Sequence, residues 1–146
     1  MADSTRKKVV DAIVTAVKVT GVNLSTDDKQ EYAKKSPSNV PSVLVMMGPA
    51  KDKRIAFEHS TSMDMEAEAL VTLDGDVKTQ YQDGIDEEMD SIISLITTAM
   101  SSLSVSGVTV LDSSRQSIDY DIDSTQGYGI FRAVFRVRYL YNHLTP

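Results

Sequence analysis

The chain has 146 residues, a formal net charge of −6, 41% hydrophobic and 25% charged residues, and no cysteine. Disulfides, thiolate metal sites and a cysteine nucleophile are therefore excluded. The negative balance also argues against sequence-independent binding to nucleic acid, which needs clustered Lys and Arg. The length suits one domain over 1–146 whose core folds without staples. No apolar run approaches the ~20 residues of a membrane helix. The basic start Arg6-Lys7-Lys8 leads into an amphipathic segment rather than a solid apolar run, so no signal peptide is expected.

Residues 5–20 read as a helix, because Val9, Val10, Ile13, Val14 and Val17 recur at three- and four-residue spacing. Ser4 is its expected N-cap and Gly21 its left-handed terminator. Residues 25–42, punctuated by Pro37 and Pro41, read as an extended connection with one helical turn near Asp27–Ala33. Val43–Met47 is a short apolar run expected as a strand covered on both faces. Gly48-Pro49 is expected to end it, Lys51, Asp52 and Lys53 to turn, and Arg54–His59 to return. Residues 63–73 alternate with a period of two. Met63, Met65, Ala67, Ala69, Val71 and Leu73 point one way and Asp64, Glu66 and Glu68 the other, and Asp74-Gly75 is the expected stop.

A helix over 84–103 is the clearest element. Asp83 is its expected cap, Asp86, Glu87 and Glu88 favour its N-terminal dipole, and Ile85, Met89, Ile92, Ile93, Ile96, Met100 and Leu103 form its buried stripe. Val108–Leu111 reads as a short strand, and Ser117–Ile122 and Tyr128–Tyr141 as a hairpin. Matching the apolar faces of that hairpin requires even positions to pair with odd ones. Asp119, Asp121 and Asp123 then share a face with Arg132, Arg136 and Arg138, and Asp119–Arg132 becomes an expected cross-strand pair. The order of elements predicts an α+β fold: a mostly antiparallel sheet, two main helices on one face, and a long C-terminal hairpin.

Chemical motifs fail one by one. Asp119-Tyr120-Asp121-Ile122-Asp123 has the opening spacing of a calcium loop, but Ser124 and Ile130 occupy the Gly and Glu positions, so the pattern is the wet face of a strand. His59 and His143 lack metal-ligand spacing, and no Gly-x-Ser-x-Gly elbow is present. Gly127-Tyr128-Gly129 is a turn, not a phosphate loop. Glu66 and Glu68 share a solvated strand face rather than a glycosidase geometry. No catalytic, cofactor or metal residue is expected, and the chain is read as a non-enzyme.

Taken whole, the chain resembles the tail terminators and related neck proteins of tailed bacteriophages. The resemblance rests on the opening helix Arg6–Val14, the acidic alternating stretch Met63–Leu73, the helix Ile85–Leu103 and the long last strand Tyr128–Tyr139, with the length and acidic balance. It implies a structural virion protein, assembled in the host cytoplasm, that forms a ring, hexameric in such proteins, on the end of the tail tube. Its partners would be its own copies, the tube protein and the head or neck connector, with DNA passing through the lumen without specific binding and no membrane involved. A head-completion adaptor ring is the alternative in the same class, and a small ligand-binding α+β domain the alternative in another. A ring needs two different patches that meet head to tail. Asp64, Glu66 and Glu68 on one side and Arg132, Arg136 and Arg138 on the other are candidate halves of that contact, or else pair within one subunit's sheet. Lys51, Lys53 and Arg54 are candidates for a loop reaching a partner.

Overall fold

The computed structural model describes residues 4–18, 21–35, 39–54, 64–78, 84–123 and 127–142. The elements in order are α1 (Thr5–Lys18), β1 (Leu24–Thr26), α2 (Lys29–Ala33), β2 (Ser42–Met47), β3 (Lys51–Arg54), β4 (Asp64–Lys78), α3 (Ile85–Ser101), β5 (Val110–Asp123) and β6 (Tyr128–Asn142). They build the expected α+β fold, a six-stranded sheet ordered β1-β2-β4-β6-β5 with β3 also on β4. Among the described residues only the short β1–β2 pair is parallel.

Both main helices lie on one face. Val9, Ile13 and Val17 of α1 and the full expected stripe of α3 pack with Ala67, Val71, Leu73 and Val77 of β4 and with Phe131, Phe135 and Val137 of β6. Those strand residues are all odd-numbered, so the period of two in the sequence decides which face meets the helices. Ser4 caps α1 as expected, its Oγ accepting from Lys7 N at 3.1 Å. Gly21 has the positive φ, +93°, foreseen for it. The N-cap position of α3 is Gly84, with no side-chain cap bond. The expected cap Asp83 lies outside the described residues, as do His59, His143 and Met63.

Four boundaries differ from expectation, and at Gly48-Pro49 and Asp74-Gly75 a tertiary partner overrides a local stop signal. The connection 25–42 contains a strand that was not expected, β1, beside the expected helical turn, a five-residue helix capped by Asp28, whose carboxylate accepts from Gln30 N and Glu31 N. Gly48-Pro49 does not turn the chain back. Met47 pairs with Val71 and Lys51 with Glu68, so three residues, Gly48, Pro49 and Ala50, stand against two, Leu70 and Ala69, and β3 runs straight on from β2 along β4. This is a β-bulge, where proline is tolerated. Arg6 of α1 stabilises it by donating to the carbonyls of Met47 and Gly48, the latter at 2.8 Å. Lys51, Lys53 and Arg54 therefore form a strand, not a loop, and the expected continuation to His59 lies outside the described residues.

Asp74-Gly75 likewise fails to stop β4, which pairs with β6 from Asp64↔Asn142 to Lys78↔Tyr128. Gly75 lies opposite Phe131, whose ring occupies the space a Cβ would need. The two short strands expected at 108–111 and 117–122 are one, β5, which absorbs the polar stretch between them through irregularities at Val110/Asp112 and Arg115/Ser117. The hairpin parity holds from Ser117 to Asp123, where Ile118 pairs with Ala133, Asp119 with Arg132 and Tyr120 with Phe131.

The Gly75–Phe131 contact predicts that Gly75→Ala, by forcing a buried ring to move, destabilises the fold by about 1–3 kcal/mol. Urea unfolding measures it, and Gly75→Ala combined with Phe131→Leu should recover part of the loss.

Candidate functional site: the uncovered face of the sheet

Even-numbered residues of β4 and β6 point away from α1 and α3. The short α2 shields one corner of this opposite face, over β1 and β2, where Leu44 is buried outside the main core. Among the described residues no element covers the rest, which is carried by β4, β6 and β5. Leu70 and Ile130 stand on it 53% and 46% exposed, which sets large apolar groups in water between charged rows.

The charged rows are acidic on β4, basic on β6 and acidic on β5. Arg132 donates to both carboxylate oxygens of Asp74, from Nε at 2.7 Å and from a terminal nitrogen at 2.8 Å. These bonds, and then the Asp74 charge, push the Arg132 pKa further above its ordinary value. Arg138 reaches Glu66 at 3.2 Å and Asp112 at 3.8 Å. Arg136 lies between Glu68 at 3.7 Å and Asp112 at 3.6 Å, beyond hydrogen-bond range of both. The Nε atoms of Arg136 and Arg138 are buried without a hydrogen-bond partner. Exposed pairs of this kind contribute roughly 0–1 kcal/mol each. Their main effect is to cancel charge across the middle of the face.

Glu66, Glu68, Arg132, Arg136 and Arg138 are thus gathered on one surface, paired within one subunit. Asp64 begins β4 in register with Asn142. Lys51 is exposed in register with Glu68, and Lys53 and Arg54 follow opposite Glu66 and Met65. Sequence reasoning missed Asp74, taken for part of a turn, and Asp112, which lies in a serine-rich stretch. It placed Asp119 correctly in register with Arg132, but the guanidinium grips Asp74 instead.

Two hollows mark the face. One, of 440 Å³, lies among Tyr32, Asp76, Asp119, Tyr120, Ile130 and Arg132. The other, of 550 Å³, lies among Met47, Pro49, Lys51, Glu68, Leu70 and Arg132. Arg132 borders both. Among the described residues no group of three or more His, Asp or Glu is arranged to hold a metal ion, and no helix is long and apolar enough to cross a membrane.

At the corner beneath α2, Asp76 is nearly buried. Lys35 Nζ reaches its carboxylate at 2.7 Å, the two side chains being only 18% and 11% exposed. The same ammonium sits 3.8 Å from the centre of the Tyr32 ring. The phenols of Tyr32 and Tyr128 also lie close to Asp76. Burial first, and then the Asp76 charge, push both phenols above the ordinary tyrosine value. The cluster fastens α2 to the sheet.

No protein-family model matches the chain, and no curated protein matches it. A chain in a solved structure described as the virion of a native gene transfer agent (GTA) particle is similar over 94% of this chain and 96% of that one, with 11% identity and a TM-score of 0.47.

Two outcomes follow from the Asp76 cluster. Lys35→Met leaves a nearly buried carboxylate without its cation and should destabilise the protein by about 3 kcal/mol in urea unfolding. Because the neutral phenols are favoured in the folded state, their contribution is present below pH ~10 and lost as pH rises through the elevated folded values. Tyrosinate absorbance should therefore show late-titrating tyrosines among the six, and Tyr32→Phe should remove one of them.

Proposed function

We propose that this chain is a structural protein of a tailed-phage or phage-like virion, one subunit of a ring that caps the finished tail tube, stops its polymerisation and presents the surface that joins the head or neck. The observation that carries the reading is the uncovered sheet face. It spans three long strands, β4, β6 and β5, and sets the exposed Leu70 and Ile130 among charge rows already neutralised by one another. A surface of that kind suits a broad macromolecular contact, in which apolar anchors lie inside a polar surround, better than it suits capture of a small molecule.

The role is structural rather than catalytic. The rows of Glu66, Glu68, Arg132, Arg136 and Arg138 fix the shape and neutrality of the contact face, and Leu70 and Ile130 supply the area lost from water when a partner docks. The ring form comes from the resemblance of the element order to tail terminators, with DNA passing a subunit whose net charge is −6. Assembly would take place in the host cytoplasm and end in the tail or neck of the particle.

Electron microscopy of the purified protein should show rings. Added to polymerising tail tube protein, it should yield tubes of limited length. Leu70→Ser combined with Ile130→Ser, both at exposed positions, should leave folding intact and weaken tube or connector binding about ten-fold, or about 1.4 kcal/mol. A protein that stays monomeric at every concentration, tube protein included, overturns the reading.

A further inference from the structure

With the middle of the uncovered face neutralised by its own ion pairs, the two margins of the sheet differ in sign, one predominantly basic in sequence and the other acidic. On one margin, β3 reads Lys51-Asp52-Lys53-Arg54, three basic residues in four. On the other, β5 from Ser117 to Asp123 carries Asp119, Asp121 and Asp123 and no basic residue. Among the described residues, no strand lies outside β5, and β3 pairs only with β4.

The acidic half of β5 is also its regular half. Both irregularities of the strand lie before it, at Val110/Asp112 and Arg115/Ser117, and from Ser117↔Val134 to Asp123↔Tyr128 the register runs unbroken. A bulged edge resists further pairing, and a regular one offers a row of backbone donors and acceptors.

Strand directions make the two margins compatible. β3 is antiparallel to β4, β4 to β6, and β6 to β5, so β3 and β5 run opposite ways. A second copy set edge to edge, in the same orientation, meets the first in antiparallel pairing. The register places Lys51 opposite Glu68, and Asp119 and Asp121 opposite Arg132 and Ile130, all on the uncovered face. The opposite charges therefore come together on one side of the joined sheet.

The match requires a stagger. β1 already occupies β2 at Ser42, Val43 and Leu44. The acidic half of β5 must therefore slide along the strand to reach free edge at β3. A stagger between neighbouring strands is also what closing a sheet around an axis demands.

We propose that the acidic half of β5 of one copy adds antiparallel to β3 of a second copy of this chain, and that this heterologous edge contact is the one that builds the ring. The proposal rests on the ring reading above and specifies its interface. Acid meets base in a head-to-tail contact, which repeats around an axis rather than ending at a pair.

Light scattering across a concentration series tests it. Asp119→Lys with Asp121→Lys makes both margins basic, and Lys51→Glu with Lys53→Glu makes both acidic. Each double variant alone should associate about 100-fold more weakly than the parent, because like charges then face one another. Mixed in equal amounts, the two should reassemble, since the basic β5 of one meets the acidic β3 of the other. As a test independent of charge, Asp121→Cys combined with Lys51→Cys, in a chain with no other cysteine, should give a ladder of disulfide-linked multimers on mild oxidation. Unchanged association of either charge variant, failure of the mixture to reassemble, or absence of the ladder in a parent that does oligomerise overturns the edge contact and leaves the ring reading standing. A parent that is monomeric throughout overturns both.

Discussion

The antiparallel ladder between β4 and β6 runs unbroken for the full length of both strands, from Asp64↔Asn142 to Lys78↔Tyr128, and every other element takes its place from it. Its odd face is apolar and draws α1 and α3 onto it. Its even face is charged and cannot be buried under a helix without matching each charge. On the flanks, β2 and β3 share one side of β4 and β5 takes the outer side of β6. A slip of one residue anywhere in this ladder would turn Val71, Leu73, Phe135 and Val137 into water and the carboxylates into the core, which is why the register is strongly determined.

The ion pairs on the even face are best understood through that register. Singly, each exposed pair contributes little to stability. In the native register, Glu68 stands directly opposite Arg138 and Asp74 opposite Arg132, while Arg138 leans over to Glu66 and Arg136 to Glu68. Sliding the strands by two residues would keep the apolar face inside but rearrange these contacts. The charges discriminate among registers that hydrophobic burial alone treats as equal. Rows expected from sequence as halves of a subunit contact, or as partners within one sheet, stand as adjacent, ion-paired columns of one subunit's sheet.

Sequence pattern made the ladder and the hairpin legible because their signal, strict alternation, is the physical property the sheet uses. The parity argument placed Asp119 beside Arg132 in the observed register, and the apolar stripe of α3 is buried to the last residue. What misled was punctuation. Gly48-Pro49 and Asp74-Gly75 are chemically turn formers, yet the first becomes a bulge held by Arg6 and the second a strand position filled by the Phe131 ring. Both partners are remote in sequence, 42 residues away in the case of Arg6 and Gly48, so no local window contains the information. β1 escaped notice because three residues carry no period. The Asp76 cluster escaped because Lys35, Tyr32 and Tyr128 meet only after α2 folds over the sheet. The face was thus readable residue by residue, whereas its neutrality and its margins required the strand order.

Those margins bear on how a protein with a long open edge avoids uncontrolled growth. An edge strand of fourteen residues is a standing invitation to pairing. Here the first half of β5 is broken twice, and Arg115 is tied back to α3 by a hydrogen bond to Thr97 at 3.3 Å. The second half is regular but acidic, so two such edges approaching each other bring Asp119 and Asp121 of both copies together and repel. Symmetric pairing of β5 with β5, which would end in a closed dimer, is therefore the disfavoured arrangement. A basic edge is the complement that remains, and the chain provides one on the opposite margin. On the proposed edge contact, the charge pattern that protects the edge from its like would also direct it to a different surface on the next copy, and a contact between two different surfaces is the one a ring requires.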